Sequence, residues 1–199
     1  MKITKEQVEK NKTRILRLLE STKRPGIDRL VGWLEGTDFF TAPASTRLDF
    51  HGAHEGGLAL HSLNVYDALE VKAKTYDLGI RSDERIVSAL AHDFCKISVY
   101  QQNVLKNGKL SDSKPYVMKD DFPFGHGEKS ALLTAKYLDL TRNEALLIRW
   151  HMGDYDREWE NYREKVSNLC PAILAFHCAD HEAARYMDYR LVKGMVVEE

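Results

Sequence analysis

The stretch SDERIVSALAHDFCK, residues 82–96, decides how the chain is read. Ser82 is a good N-cap, and Asp83 and Glu84 suit the positive end of a helix dipole. Ile86, Val87, Ala89 and Leu90 supply the apolar positions of a helix expected over Ser82–Phe94. Late in that helix stand His92 and Asp93, two side chains able to bind metal. Adjacent helical residues point about 100° apart, so the pair would reach from both sides into one cleft and hold a common ion. Lys96, one turn beyond His92, would place a cation beside an anionic ligand of that ion. A His-Asp dipeptide arises often by chance, so it gains weight only from its surroundings.

Outward from this segment the pattern is mostly helical. Thr4 and Gln7 read as a capping box that opens a helix carrying Val8, Ile15, Leu18 and Leu19. Lys23 and Arg24 suit its negative end, just before Pro25 and Gly26. A second helix holds Leu30, Val31 and Leu34 and ends at Gly36. Thr41–Gly57 reads as a long ordered loop. Further helices are expected over Leu58–Thr75, His126–Leu138, Arg142–His151 and Pro171–Met187. Ser98–Met118 breaks the pattern: it is rich in Val and Tyr, and Asn107-Gly108 signals a tight hairpin turn, since both residues tolerate positive φ. The expected architecture is a single all-α domain over 1–199 with a small inserted β-hairpin.

Composition narrows the function classes. The 199 residues suit one domain, and 29 basic against 30 acidic side chains give no reason to expect a strongly polyanionic partner. Three cysteines with no CxxC pair argue against a disulfide framework or a thiolate zinc site and for a reducing compartment. No apolar run approaches the roughly 20 residues needed to span a bilayer. The chain is expected to be soluble, cytoplasmic and free of membrane. Its oligomeric state is not legible.

The histidines extend the central motif. His61 lies on the preceding helix, just after Gly56-Gly57 in the run HEGGLALHS, residues 54–62, and Asp180 lies on a later helix with Ile173, Leu174 and Phe176. Two imidazoles and two carboxylates from three helices form a mixed N/O set that suits Mn, Fe, Ni, Zn or Mg. This order, His61, then His92-Asp93, then Asp180, resembles the H…HD…D signature of the HD superfamily of metal-dependent phosphohydrolases. His126, in FGHGEKS, and His151, after Ile148-Arg149-Trp150, look like the longer order H…HD…H…H…D, which holds two metals. The resemblance spans about Phe50–Tyr186, so residues 1–49 are N-terminal helices and loop, and about 50–187 an HD core.

The resemblance implies that Asp93 bridges one or two divalent ions. His61, His92 and Asp180 would complete one shell, and His126 and His151 the other. It implies hydrolysis of a phosphate ester or anhydride, in a small phosphorylated substrate such as a nucleotide or in a short single strand of nucleic acid. Asp93 and Lys96 would be the catalytic residues; Lys96, His54, Lys129 and Arg149 would contact the substrate. Alternatives remain open: a 3′–5′ exonuclease on short single strands, or a non-catalytic sensor that keeps the metal site for binding.

Each residue also has a plainer reading. Alone on a helix, His61 would more often be a hydrogen-bonded core histidine, and His151 could simply suit a helix C-terminus. His177 and His181 flank Asp180, with His181 a partner of the ligands rather than a ligand. His51 and His54 could touch substrate, and Glu55 could add a ligand. Cys95 reads as a small core residue. Tyr155, Trp159 and Tyr162 have helical spacing and read as packing before base stacking.

Overall fold

Helix α3, Gly57–Thr75, is buried on all sides over its first nine residues, 57–65, which makes it the axis of the molecule. Helix α3 packs against α1, α4 and α8, and its buried face includes the polar His61, Ser62 and Asn64 beside its apolar residues. The computed structural model describes residues 3–188. The expected domain over 1–199 also takes in residues 1–2 and 189–199, which lie outside the described residues. The helices are α1 (Lys5–Ser21), α2 (Ile27–Glu35), α3, α4 (Ser82–Ala91), α5 (His126–Ala135), α6 (Arg142–Trp150), α7 (Trp159–Leu169) and α8 (Ala172–Glu182). Two short antiparallel strands, β1 (Tyr100–Gln102) and β2 (Tyr116–Met118), pair Tyr100 with Met118 and Gln102 with Tyr116. The protein is mostly helical with one small hairpin, as expected. No helix among the described residues is long and apolar enough to cross a membrane.

Two apolar cores lie side by side. The first joins Ile15 and Leu19 of α1, Leu30 and Leu34 of α2, Leu58 and Leu63 of α3, and Leu90 with Phe94. The second joins Val65 and Leu69 of α3, Leu147 and Trp150 of α6, Trp159 and Val166 of α7, and Phe176 of α8. Helices α3 and α4 contribute to both cores; His61 stands in α3 and His92 directly follows α4.

Local physics departs from the sequence reading at several points. Thr4 does cap α1, its Oγ1 accepting from Gln7 N at 3.1 Å, but the Gln7 side chain donates to Asn11 instead of closing the box. No basic residue stands in the last turn of α1; Arg24 instead donates to Glu144 and to Asp139 O. Arg81, not Ser82, caps α4, and its backbone N–H donates to Glu84 Oε2 at 2.8 Å. Helix α5 ends three residues early, at Ala135, and α8 passes into a wider π turn over Ala183–Met187.

Two differences have consequences for the site. Helix α4 stops at Ala91 with His92 as its C-cap, and Asp93 leaves the helical region at φ −106° and ψ 19° before a short 3₁₀ turn over Phe94–Lys96. The expected 100° spread of two helical neighbours therefore does not apply. In the hairpin, Gly108 has φ 79° but Asn107 is not in the left-handed region. Gly108 N donates to Leu105 O and Leu105 N to Lys109 O, a three-residue loop with the glycine bulge rather than a two-residue turn.

Candidate metal centre

Two of the histidines owe their orientation to the same local device. A helix leaves its last carbonyls without intrahelical donors. At the end of α4, His92 turns its Nδ1–H onto Ala89 O at 2.8 Å; at the end of α6, His151 does the same to Ile148 O at 2.8 Å. A ring that donates from Nδ1 keeps Nε2 as a bare lone pair in its neutral form. His61 on α3 is held by a carboxylate instead: its Nδ1 donates to Asp188 Oδ2 at 2.7 Å. Asp188 is itself pinned by Asn64 Nδ2 at 2.6 Å. All of these residues are buried.

The three Nε2 atoms are directed into one volume. His61 Nε2 lies 3.3 Å from His92 Nε2, so in the neutral rings two lone pairs face each other. His151 Nε2 is buried with no hydrogen-bond partner. Neutral imidazoles cannot satisfy one another there; a cation can.

Carboxylates complete the arrangement. Asp180 Oδ1 is 3.0 Å from His61 Nε2. Asp93, released from α4, presents its two oxygens to different groups. Oδ2 lies 3.4 Å from His92 Nε2 and 3.7 Å from His61 Nε2. Oδ1 accepts from His126 Nε2 at 2.8 Å and lies 3.7 Å from His151 Nε2. His126 is the first residue of α5, and the ring centroids of His126 and His151 are 5.2 Å apart. This approach depends on Gly127, where a Cβ would meet Arg149 O of α6 at 2.1 Å. Sets able to hold an ion are His61, His92 and Asp180; His92, Asp93 and His151; Asp93, Cys95 and His126; and His51, His61 and Asp188. The last two include Cys95 and His51, which the sequence reading kept out of the ligand sets.

The charges respond to this crowding. Burial opposes a proton on His61, but Asp188 and Asp180 outweigh it and lift the ring to about 10. Burial likewise opposes charge on His126, yet the bond to Asp93 raises it to about 9. Burial would push the Asp93 carboxyl up, but Lys96 and His92 hold it well below the usual carboxylate range. Asp180 is lowered too, its burial overcome by His61. Lys96 Nζ lies 2.7 Å from Asp93 Oδ2, and although burial opposes its charge, that carboxylate raises its pKa. The centre thus demands positive charge, which protons supply in the metal-free chain.

A cavity of about 520 Å³ opens onto His61, Asp93, Lys96, His126 and Asp180. Of the expected substrate residues, Lys96 lines it; His54, Lys129 and Arg149 do not. His54 turns its Nδ1 to Glu55 O at 3.0 Å. Lys129 is buried against Asp120 at 2.6 Å. Arg149 is taken up by Asp156 and Glu128, both at 2.5 Å, and lies over the Trp150 ring. Of the two loop histidines expected to touch substrate, His51 lines the cavity with its ring 4.6 Å from that of His61, and burial lowers its pKa to about 3. Glu55 is exposed and belongs to none of the donor sets. His181 lines the cavity and stacks on Tyr155, whereas His177 donates to His151 O at 2.8 Å. Trp159 and Tyr162 pack on Trp150, as their helical spacing suggested. Asp188, Asn64 and Arg185 were missed. Asp188 follows Asp180 by eight residues along α8 and its continuation, and this spacing was the available signal.

Comparison with protein-family models, with curated proteins and with solved structures found no match to the chain.

Proposed function

We propose that the protein is a metal-dependent phosphohydrolase of the HD kind, with His61, His92, Asp93, His126, His151 and Asp180 holding up to two divalent ions. The observation that carries this reading is the convergence of three buried imidazole Nε2 atoms, those of His61, His92 and His151, beside the Asp93 and Asp180 carboxylates, with His151 Nε2 left without a hydrogen-bond partner. Buried polar groups without partners are costly, and natural structures keep them for a reason. Mixed nitrogen and oxygen donors suit Mn, Fe, Ni, Zn or Mg. The two faces of Asp93 accord with a bridging role between a His61/His92/Asp180 set and a His126/His151 set.

When bound, divalent ions would neutralise phosphoryl oxygens and bring the ionisation of water close to neutral pH. The remaining roles belong to the chain. Asp188 and the carbonyls of Ala89 and Ile148 fix the three rings in one tautomer, so that no reorientation is needed when a ligand arrives. Lys96 keeps its proton beside Asp93 and faces the cavity, where it would donate to a phosphoryl oxygen as charge develops. His51, neutral near pH 7, offers a cavity-side ring next to His61 without adding charge.

The test is a screen of the purified chain with Mn, Fe, Ni, Zn and Mg against p-nitrophenyl phosphate mono- and diesters, nucleotides and short oligonucleotides. Metal-dependent release of phosphate or nitrophenol is expected, and it should disappear in Asp93→Asn. Tight metal binding without turnover on any substrate would favour a sensor.

A further inference from the structure

Beyond the metal centre the cavity changes character. Its outer lining is dominated by Phe50, Tyr100, Met118 and Tyr155, which come from the loop before α3, from β1 and β2, and from the 3₁₀ turn over Gly153–Tyr155. Phe50, Met118 and Tyr155 are 51, 61 and 65 % exposed, and large apolar side chains gathered from separate segments around one opening mark a binding surface. Tyr155 is backed by His181, with ring centroids 5.4 Å apart and planes 26° from parallel, so its ring is braced on that side. Among the described residues, the only Lys or Arg in the lining are Lys96 and Arg185, and Lys96 is engaged by Asp93. Arg185 is exposed and makes no ion pair among the described residues. Asp49 in the same lining is held by Arg47, whose Nε and Nη2 donate to its two oxygens at 2.9 and 2.6 Å.

This distribution separates two kinds of phosphate compound. A polyphosphate tail carries several charges that extend past the centre, and sites that hold such tails surround them with cations and backbone N–H groups. Among the described residues, the outer cavity offers the Arg185 guanidinium and a wall of aromatic and Met side chains. A flat body attached to a single phosphate fits it, and about 520 Å³ lies within the range of small-ligand sites. Building on the hydrolase reading above, we propose that the site selects phosphate monoesters of a flat, nucleoside-sized body, stacked on Tyr155 and steered by Arg185, over nucleoside polyphosphates.

Binding tests this apart from turnover. Full-length protein, loaded with Mn to its measured stoichiometry, is titrated calorimetrically with three uncleavable probes. These are the adenosine monophosphate analogue with carbon for the ester oxygen, the matching triphosphate analogue with carbon bridges, and methylphosphonate. The monophosphate analogue is expected to bind at least tenfold more tightly than either of the others. Tyr155→Ala should lose roughly tenfold toward that analogue, in line with the loss of one stacked ring, with its Mn content unchanged. Arg185→Ala should weaken the monophosphate analogue and methylphosphonate alike. Equal or tighter binding of the triphosphate analogue would overturn the proposal, as would wild-type affinity in Tyr155→Ala or failure of all three probes to bind. Failure of the chain to take up Mn at all would instead reject the metal-centre reading beneath it.

Discussion

Replacing Asp188 by Asn isolates the role of a residue that no motif names. The side chain is 1 % exposed, with one oxygen on His61 Nδ1 and the other on Asn64 Nδ2. An Asn at this position can still accept from His61, and rotation of the Asn64 amide removes the clash of two donors. Packing is therefore kept while the charge is lost. Partners of this kind typically change metal affinity 10- to 100-fold when removed. With Mn at 100 times the wild-type Kd, the native protein should gain about 2.7 kcal/mol from the ion. The same Mn concentration should give the variant only about 0.4–1.4 kcal/mol, by the same linkage. The assay is a pair of melting curves with and without Mn, beside a direct Mn titration. An unchanged Mn affinity and an unchanged Mn-induced shift in Asp188→Asn would show that His61 does not reach a metal through this support.

The pH dependence should have opposite signs with and without metal. His61 and His126 are raised to about 10 and about 9, so the stability they contribute to the metal-free chain is complete below about 6.5 and is lost as pH climbs through those values. Metal-free melting temperature should therefore fall between pH 7 and 10, while Mn affinity rises as the same protons become easier to displace; parallel trends would refute this. Lys96→Ala removes the cation that competes for Asp93, so Mn binding should hold or strengthen while turnover falls on the order of 10²–10³-fold, read by titration and initial rates. Gly127→Ala places a Cβ 2.1 Å from Arg149 O and must separate α5 from α6. It should cost about 1–3 kcal/mol, as overpacking does, and lower metal content toward one ion, measured by melting and elemental analysis.

Most of the helices were legible because their apolar positions recur with helical spacing. Helix α7 was not, since WENYREKVSNL buries only Trp159 and Val166 and is otherwise polar. Its aromatic spacing was noticed but read only as a stripe. At the site, the six ligand candidates were visible as residue types in order, and the fold brings them together. What the sequence could not give was their support. Asp188 holds His61 across 127 residues and Asn64 across 124, distances at which no periodicity operates. The departure of Asp93 from α4 is a change in a single residue's dihedral angles, which the apolar pattern before it does not encode. The substrate residues were read least well. Lys129 and Arg149 are cations close in sequence to ligands, but their charges are spent on Asp120, Asp156 and Glu128, whereas Arg185 faces the cavity, as does His51, one of the two loop histidines expected to touch substrate.

The central claim is that Asp93 is shared between two ion sites, and metal stoichiometry of the wild type beside Asp93→Asn tests it most directly. Asn matches Asp in size but offers one oxygen and no charge, so the fold should persist; loss of a carboxylate from a crowded cluster need not destabilise the metal-free chain. After reconstitution with Mn, elemental analysis should find up to two ions per wild-type chain and close to none in the variant. Only the wild type should gain melting temperature from the metal. An Asp93→Asn protein that binds as much Mn as the wild type, with the same thermal shift, would contradict the account.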